Sequence, residues 1–116
     1  MLVLATTGRT TGQPRRTCLI YGLPGDGFVV VASKGGADEN PGWFKNLQTG
    51  PGAGVQAGTR RFTCQARLAS PVEREALWPE MVRIFPLYEE YAGKTGRQIP
   101  VVWLTPGTEP SAPALP

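Results

Sequence analysis

The stretch Leu23-Pro24-Gly25-Asp26-Gly27-Phe28-Val29-Val30-Val31-Ala32 decides the fold class, because a strong turn signal is followed at once by an apolar run. Its β-branched and aromatic residues favour β structure. A run without alternating polar residues predicts a central strand that is buried on both faces. The Gly-Gly pair at positions 35 and 36 belongs to the loop that follows. The chain is therefore expected to be organised by strands.

Further strands are predicted on both sides of this run. They cover residues 2–7, 15–21, 55–57, 60–69 and 100–105. The first two would pair as a hairpin around a polar, glycine-bounded turn, and the next two around Gly58 and Thr59. In the strand at 60–69 apolar residues alternate with polar ones, at Phe62, Cys64, Ala66 and Leu68. That period of two is typical of a half-buried strand.

Helix signals are few. Asn40 and Pro41 predict an N-cap and a first helical residue for a short helix ending at Leu47. Ser70, Pro71 and Glu73 form a capping box with proline at the first position, which opens the one long helical stretch. Apolar residues continue it at helical spacing, at Leu77, Met81, Ile84, Phe85 and Tyr88. The prolines at 79 and 86 would bend or divide this stretch, and Gly93 would end it.

Composition supports a single small β-rich domain. The 116 residues include 15 glycines and 12 prolines, which suits short strands joined by tight turns. Because closure removes exposed strand edges, we expect a small β-barrel with helices packed on it. Residues 1–106 would form this barrel, and the proline-rich residues 107–116 a flexible tail.

The absence of histidine excludes several kinds of chemistry. Ser-His-Asp and Cys-His catalysis and histidine metal sites are all ruled out, and no metal is expected. Cys18 and Cys64 are far apart and are interpreted as small core residues, which favours a reduced, cytoplasmic protein. No apolar run approaches the ~20 residues of a membrane span, and residues 1–5 lack the features of a signal peptide.

An anion-binding turn is the first candidate for chemistry. Between Gly8 and Thr17 lie two glycines, three hydroxyl residues and three arginines, and no carboxylate occurs from Met1 to Gly25. Arginine forks and exposed backbone N–H groups hold phosphate or carboxylate oxygens. The partner could be phosphate, nucleic acid or an acidic cofactor. An ordinary hairpin turn with solvated arginines is the alternative.

Two aromatic groups are further candidates. Trp43 and Phe44, close to Gly35 and Gly36, could flank a flat ligand, or could simply hold the short helix against the barrel. A second group recurs every three residues, at Phe85, Tyr88 and Tyr91. It could form a pocket wall or belong to the core.

Four motifs in order resemble the deazaflavin-dependent nitroreductase family, whose members use the 8-hydroxy-5-deazaflavin coenzyme F-420. They are Thr-Thr-Gly-Arg-x-x-Gly-x-x-Arg-x-Thr (6–17), Val-Ala-Ser-x-Gly-Gly (31–36), Asn-Pro-x-Trp-Phe-x-Asn-Leu (40–47), and Tyr-x-x-Tyr (88–91) followed by Thr-x-Arg-x-Ile-Pro-Val (95–101). The resemblance covers about residues 2–106. It implies a split β-barrel related to flavin reductases, and transfer of hydride to an electron-poor acceptor.

The resemblance also implies site residues. The coenzyme-binding set would be Arg9, Thr10, Thr11, Arg15, Arg16, Thr17, Cys18, Leu19, Ile20, Val31, Ala32, Ser33, Lys34, Gly42, Trp43, Phe44, Lys45, Asn46 and Tyr88. Basic residues would lie nearest the phosphate and acidic tail of the coenzyme, and residues 31–34 along its ring. Ser33, Tyr88 and Tyr91 would face the substrate as the catalytic set.

Two departures from the family pattern concern affinity for the coenzyme. Phe44 stands where relatives commonly have tyrosine, and Glu39 where a basic residue often precedes Asn-Pro. The expected acceptor is a small molecule, namely a nitro compound, a quinone or an activated enone. Neither nucleic acid nor stable membrane insertion is expected, and a homodimer is possible. Alternatives are an FMN-dependent reductase of the same fold and, more distantly, a barrel that binds single-stranded nucleic acid.

Overall fold

One antiparallel six-stranded sheet organises the protein, in a computed structural model that describes residues 1–23 and 27–110. The strands are β1 (Leu2–Thr7), β2 (Pro14–Leu19), β3 (Phe28–Val31), β4 (Gly52–Ala57), β5 (Arg60–Leu68) and β6 (Val101–Pro110). Their order in the sheet is β2-β1-β4-β5-β6-β3. The helices are α1 (Gly42–Thr49), α2 (Pro71–Ile84) and α3 (Leu87–Lys94), and a 3-10 turn covers Lys34–Gly36.

The sheet curls around an apolar interior. Gly22, just after β2, forms a two-way backbone bridge with Val29 of β3, at 3.0 Å in each direction, and so brings the two ends of the sheet together. Side chains that are at most 7% exposed fill the space inside, at Leu2, Leu4, Phe28, Val30, Ala32, Phe44, Leu47, Ala53, Val55, Cys64, Val102 and Leu104. This is a split β-barrel with helices, so the predicted fold is confirmed.

A second apolar cluster lies outside the barrel. Val29, Val31 and Val101 pack there against Leu77 and Met81 of α2 and Tyr88 of α3. Alternate residues of β3 thus enter two different cores, and all four of its residues are buried as predicted. The strand is nevertheless not central, because β6 is its only ladder partner among the named strands of the described residues. Helices rather than neighbouring strands cover it.

The helix predictions are only partly right. Pro41 occupies the N-cap of α1 without a side-chain capping bond, so the prediction of Asn40 as the cap is wrong. The Asn40 side chain instead accepts a hydrogen bond from Arg97. The long stretch is divided before Pro86 into α2, which contains Pro79, and α3, which continues one residue beyond Gly93.

Strand ends also differ from the predictions. Strand β6 runs to Pro110, so the predicted tail boundary at residue 107 falls within a strand. Residues 111–116 of that tail and the turn at 24–26 lie outside the described residues. Leu68, predicted to face inward, is 60% exposed.

No helix in the described ranges, 1–23 and 27–110, is both long and apolar enough to cross a membrane.

The capping box of α2 is present as predicted and should stabilise the domain. The Ser70 hydroxyl accepts from the Glu73 N–H at 3.2 Å, and the Glu73 carboxylate accepts from the Ser70 N–H at 2.8 Å. Hydrogen bonds from Arg67, then from Ser70, lower the pKa of Glu73 to about 2. The Glu73 carboxylate is therefore ionised at neutral pH. Its contribution to the free energy of unfolding is lost as pH falls below the ordinary carboxyl range toward 2.

Replacing Ser70 by alanine is therefore expected to lower the free energy of unfolding by about 1 kcal/mol. Val72→Ala, at a 76% exposed position of the same turn, is the control. Thermal unfolding followed by circular dichroism measures both. Equal midpoints for the two variants would contradict the capping role.

Candidate functional site

The turn between β1 and β2 forms one wall of an open groove. The Gly12 N–H donates to the Gly8 carbonyl and the Gly8 N–H to the Gln13 carbonyl, each at 2.8 Å. Gly12 has φ +72°, in the left-handed region that glycine adopts without strain. The turn therefore holds Arg9, Thr10 and Thr11 at the end of the hairpin, where all three are exposed.

The groove has a volume of about 530 Å³ and lies between this turn, β2 and the start of α1. It is lined by Thr6, Gly8, Arg9, Thr10, Thr11, Arg15, Arg16, Thr17, Pro41, Gly42, Trp43 and Asn46. Nine of these residues belong to the coenzyme-binding set implied by the sequence resemblance. Thr6, Gly8 and Pro41 were not in that set, although the first two stand inside the Thr-Thr-Gly-Arg motif.

Asn46 links the two walls of the groove. The residue is only 6% exposed, and its Nδ2 donates to Thr6 Oγ1 at 3.1 Å. Its Oδ1 accepts from the Arg9 backbone N–H at 3.2 Å and from Arg9 Nη1 at 2.9 Å. Because donor and acceptor are both used, the amide orientation is determined and α1 is held against β1.

The groove is electropositive. Arg9, Arg15 and Arg16 line it, and no carboxylate is among the described residues of its lining. Arg9 Nη1 also donates to the Gly42 carbonyl at 3.4 Å, which places this guanidinium at the first residue of α1. Pro41 provides no side-chain cap, and its carbonyl accepts from the N–H groups of Phe44 and Lys45, which leaves those of Gly42 and Trp43 for a ligand. Such a helix start favours an anion.

The loop from Ser33 to Asn40, called the 33–40 loop below, connects β3 to α1. Lys34, Gly35 and Gly36 have φ values of +47°, +63° and +86°. A Cβ atom on Gly36 would lie 2.9 Å from the Tyr91 carbonyl oxygen, so only glycine allows this close approach to α3. Ser33 and Lys34 therefore lie on a segment that is packed against the helix that carries Tyr88 and Tyr91.

Arg97 holds the 33–40 loop from the other side. Its guanidinium donates to the carbonyls of Ala32 (3.2 Å), Ser33 (2.9 Å) and Ala37 (2.9 Å), and to Asn40 Oδ1 (2.8 Å). Thr95 Oγ1 donates to Asp38 Oδ1 at 2.9 Å. The site prediction missed Arg97, and its place in the Thr-x-Arg-x-Ile-Pro motif was the only signal for it.

Several implied coenzyme-binding residues do not line the groove. The side chains of Val31, Ala32 and Phe44 are at most 7% exposed and pack in the two apolar clusters. Leu19 and Ile20 are half-buried beyond the groove. Lys34 and Lys45 form ion pairs with Glu39.

The two cysteines differ in their surroundings. Cys18 is exposed, so its interpretation as a core residue is wrong. In β2, Thr17 and Leu19 pair with the interior residues Leu4 and Leu2, and alternation turns Cys18 outward between them. Cys64 is fully buried inside the barrel as predicted, and burial raises the pKa of its thiol to about 11.

Tyr88 belongs to the cluster outside the barrel. It is 5% exposed, and its ring lies 5.0 Å from that of Phe85 and 6.4 Å from that of Tyr91, centroid to centroid. Burial, then the electrostatic interaction with Tyr91, raises the pKa of Tyr88 to about 12. Tyr91 is half-buried at the contact with the 33–40 loop. The helix that carries Tyr88 and Tyr91 thus touches the loop that begins at Ser33, but none of these three residues lines the groove.

Comparison with known proteins identifies the family. Residues 1–106 match the sequence model of the F420H(2)-dependent quinone reductase family. A Mycobacterium tuberculosis protein named F420H(2)-dependent quinone reductase is 38% identical over 112 residues, covering 90% of this chain and 72% of the relative. The chain belongs to this family. As an F420H(2)-dependent reductase, it is an oxidoreductase whose coenzyme is F-420, so the expected coenzyme and enzyme class are confirmed.

Solved structures agree with this assignment. An F420-H2 dependent reductase called FDR-A superimposes with a TM-score of 0.81 at 35% identity, covering 89% of this chain and 91% of the other. A protein described as a domain-swapped dimer gives a TM-score of 0.82, also at 35% identity, with 89% and 78% covered.

The donor set of the groove fits F-420. The coenzyme carries a phosphate and an acidic tail, and the groove offers guanidinium groups, threonine hydroxyls and the uncapped start of a helix. The half-buried indole of Trp43 supplies a flat apolar surface beside these donors. Within residues 1–23 and 27–110, no group of His, Cys, Asp and Glu side chains could hold a metal ion.

Proposed function

We propose that this protein transfers a hydride from reduced F-420 to a quinone-type acceptor. The observation that carries the proposal is the arginine-lined groove at the start of α1 in a chain of the F420H(2)-dependent quinone reductase family. Nitro compounds and activated enones belong to the same proposal, because they too are electron-poor acceptors of a hydride.

The proposed work of the protein is mainly positioning. When bound, F-420 supplies a hydride from C5 of its ring. Arg9, Arg15 and Arg16 hold the phosphate and tail, and the first N–H groups of α1 add to the positive field. The buried side chains of Val31 and Ala32 leave only their backbone to run along the ring. Correct distance and orientation, with water excluded, account for much of the barrier reduction in such a reaction.

Ser33 and Tyr88 are proposed to donate hydrogen bonds to the acceptor oxygen on which negative charge develops. Support comes from the packing of the 33–40 loop against α3, where Gly36 lies against Tyr91, one helical turn from Tyr88. Tyr91, half-buried beside them, is proposed to wall the acceptor side.

Ser33→Ala and Tyr88→Phe are therefore each expected to lower kcat about tenfold or more, while the Kd of F-420 changes little. Tyr21→Phe is the control, since it removes a phenol hydroxyl from a ring that packs at the barrel interior. Steady-state kinetics with a soluble quinone and equilibrium binding separate the two parameters. Unchanged kcat in both variants would reject these roles.

A direct test of the function compares coenzymes. Quenching of the fluorescence of Trp43, Trp78 and Trp103 is followed while the protein is titrated with oxidised F-420 and, separately, with FMN. Saturable quenching by F-420 at micromolar levels is expected. Oxidation of reduced F-420 is then followed on adding a quinone, a nitroarene or an enone. Binding of FMN alone, or no quinone reduction, would contradict the proposal.

We also propose that the protein forms a homodimer. The support is the solved relative described as a domain-swapped dimer, which is 35% identical to this chain. Light scattering coupled to size-exclusion chromatography is expected to give twice the monomer mass. A monomer at all concentrations would contradict this assembly.

A further inference from the structure

One carboxylate stands between two lysines beside the groove. Glu39 Oε1 lies 2.6 Å from Lys34 Nζ, and Glu39 Oε2 lies 3.3 Å from Lys45 Nζ. These three residues are called the lysine–glutamate cluster below. The three side chains are between 34% and 62% exposed, so the cluster is accessible to solvent.

The cluster is at the edge of the groove. Lys45 immediately precedes Asn46, a lining residue, and lies three positions beyond Gly42, another lining residue. On a helix this separation corresponds to less than one turn, or about 5 Å along the axis. Lys34 lies near the start of the 33–40 loop and is joined to Lys45 by the ion pairs that both lysines form with Glu39.

The carboxylate changes the charge that a ligand meets there. Hydrogen bonds from Lys34, then from Lys45, lower the pKa of Glu39, so it is ionised at neutral pH. Two ammonium groups and one carboxylate leave one net positive charge where the lysines alone would give two. A tail carboxylate of a ligand would have to compete with Glu39 for each ammonium group.

We infer that Glu39 is a specificity-determining residue that limits binding of long acidic tails, because it already occupies Lys34 and Lys45. The inference rests on the proposed function, since it takes F-420 as the ligand. A tail carboxylate near the cluster can pair with a lysine only by breaking that lysine's ion pair with Glu39. The Glu39 carboxylate also repels it. The protein therefore gains little affinity from each added tail carboxylate. The effect is moderate, because solvent and salt screen exposed charges.

Binding of coenzyme forms that differ only in tail charge tests this inference. Wild type and Glu39→Gln are titrated with F-420 carrying few or many tail glutamates, and with the deazaflavin chromophore that lacks both phosphate and tail. Tryptophan quenching reports Kd without turnover. Glu39→Gln is expected to bind the long-tailed form about three- to tenfold more tightly, with no change for the bare chromophore.

Glu80→Gln is the matched control. It removes a carboxylate that is ion-paired with Arg83 on α2, away from the groove, and changes the net charge by the same amount. Its affinities should equal those of the wild type at every tail length. Raising the salt concentration should abolish the advantage of Glu39→Gln.

Two other outcomes are distinguishable. If Glu39→Gln matches Glu80→Gln at all tail lengths, or binds the long-tailed form more weakly, the inference is overturned and the proposed function stands. If the wild type binds no form of F-420, the proposed function fails and the inference fails with it.

Discussion

Replacing Arg15 and Arg16 together by glutamine is expected to weaken F-420 binding about 10- to 100-fold. Both side chains line the groove, where they would meet the phosphate and tail carboxylates of the coenzyme. A hydrogen bond to a charged group contributes about 1.5–3 kcal/mol, and the exposure of both arginines reduces that value through screening. Tryptophan quenching at fixed salt measures the change in Kd.

Arg60 and Arg61 provide the control for this experiment. They are also adjacent arginines at the start of a strand, β5, and neither lines the groove. Arg60→Gln with Arg61→Gln removes the same net charge and should leave Kd within about twofold, since distant exposed charges are screened. Equal losses in the two double variants would mean that general charge, and not the groove, attracts the coenzyme.

Arg97→Ala is expected to lower kcat/KM by about 100-fold, because a displacement of about 1 Å at a site can cost that much. The guanidinium donates to three backbone carbonyls and to Asn40, and so sets the path of the 33–40 loop between Ser33 and the start of α1. Without it, Ser33 and the first residues of α1 lose their common support. Arg97→Lys cannot reach four acceptors and should recover only part of the activity.

Arg74 makes a matched control possible. From α2 its guanidinium donates twice to the Ile99 carbonyl, at 3.1 and 3.0 Å, away from the groove. Arg74→Ala removes an arginine bonded to backbone in the same way and is expected to lower the melting temperature with little effect on kcat/KM. Thermal unfolding and kinetics are measured on both variants. Activity losses that simply follow the losses in stability would show that Arg97 has no positioning role.

Local signals predicted most elements of this fold. The capping box of Ser70 and Glu73 is an interaction three residues apart, and it was found where the sequence placed it. The apolar run of β3 was recognised as buried, yet its position at the end of the sheet order was not. A buried strand has the same composition whether strands or helices cover it, so sequence cannot distinguish the two cases.

The candidate site, like the fold, was predicted only in part from the sequence. The arginines and hydroxyls of the first turn lie within ten positions of one another, so their composition alone indicated an anion site. Asn40 shows the limit of such reasoning. Its sequence context predicted a helix cap, but its side-chain oxygen accepts a hydrogen bond from the guanidinium of Arg97, 57 residues along the chain. Cys18 likewise had an apolar context, and only the alternation of β2 placed it outside.

The sequence by itself determined the strand-rich class, the anion-binding turn and the resemblance to F-420-dependent enzymes, because each depends on residues close together in the chain or on ordered motifs. Only the tertiary structure decided that Asn46 bridges Thr6 and Arg9, that Arg97 holds the 33–40 loop, and that Glu39 joins two lysines. The contacts of Asn46 and Arg97 span from 37 to 65 residues. Contacts of that range depend on strand register and helix packing, which short-range propensities do not specify.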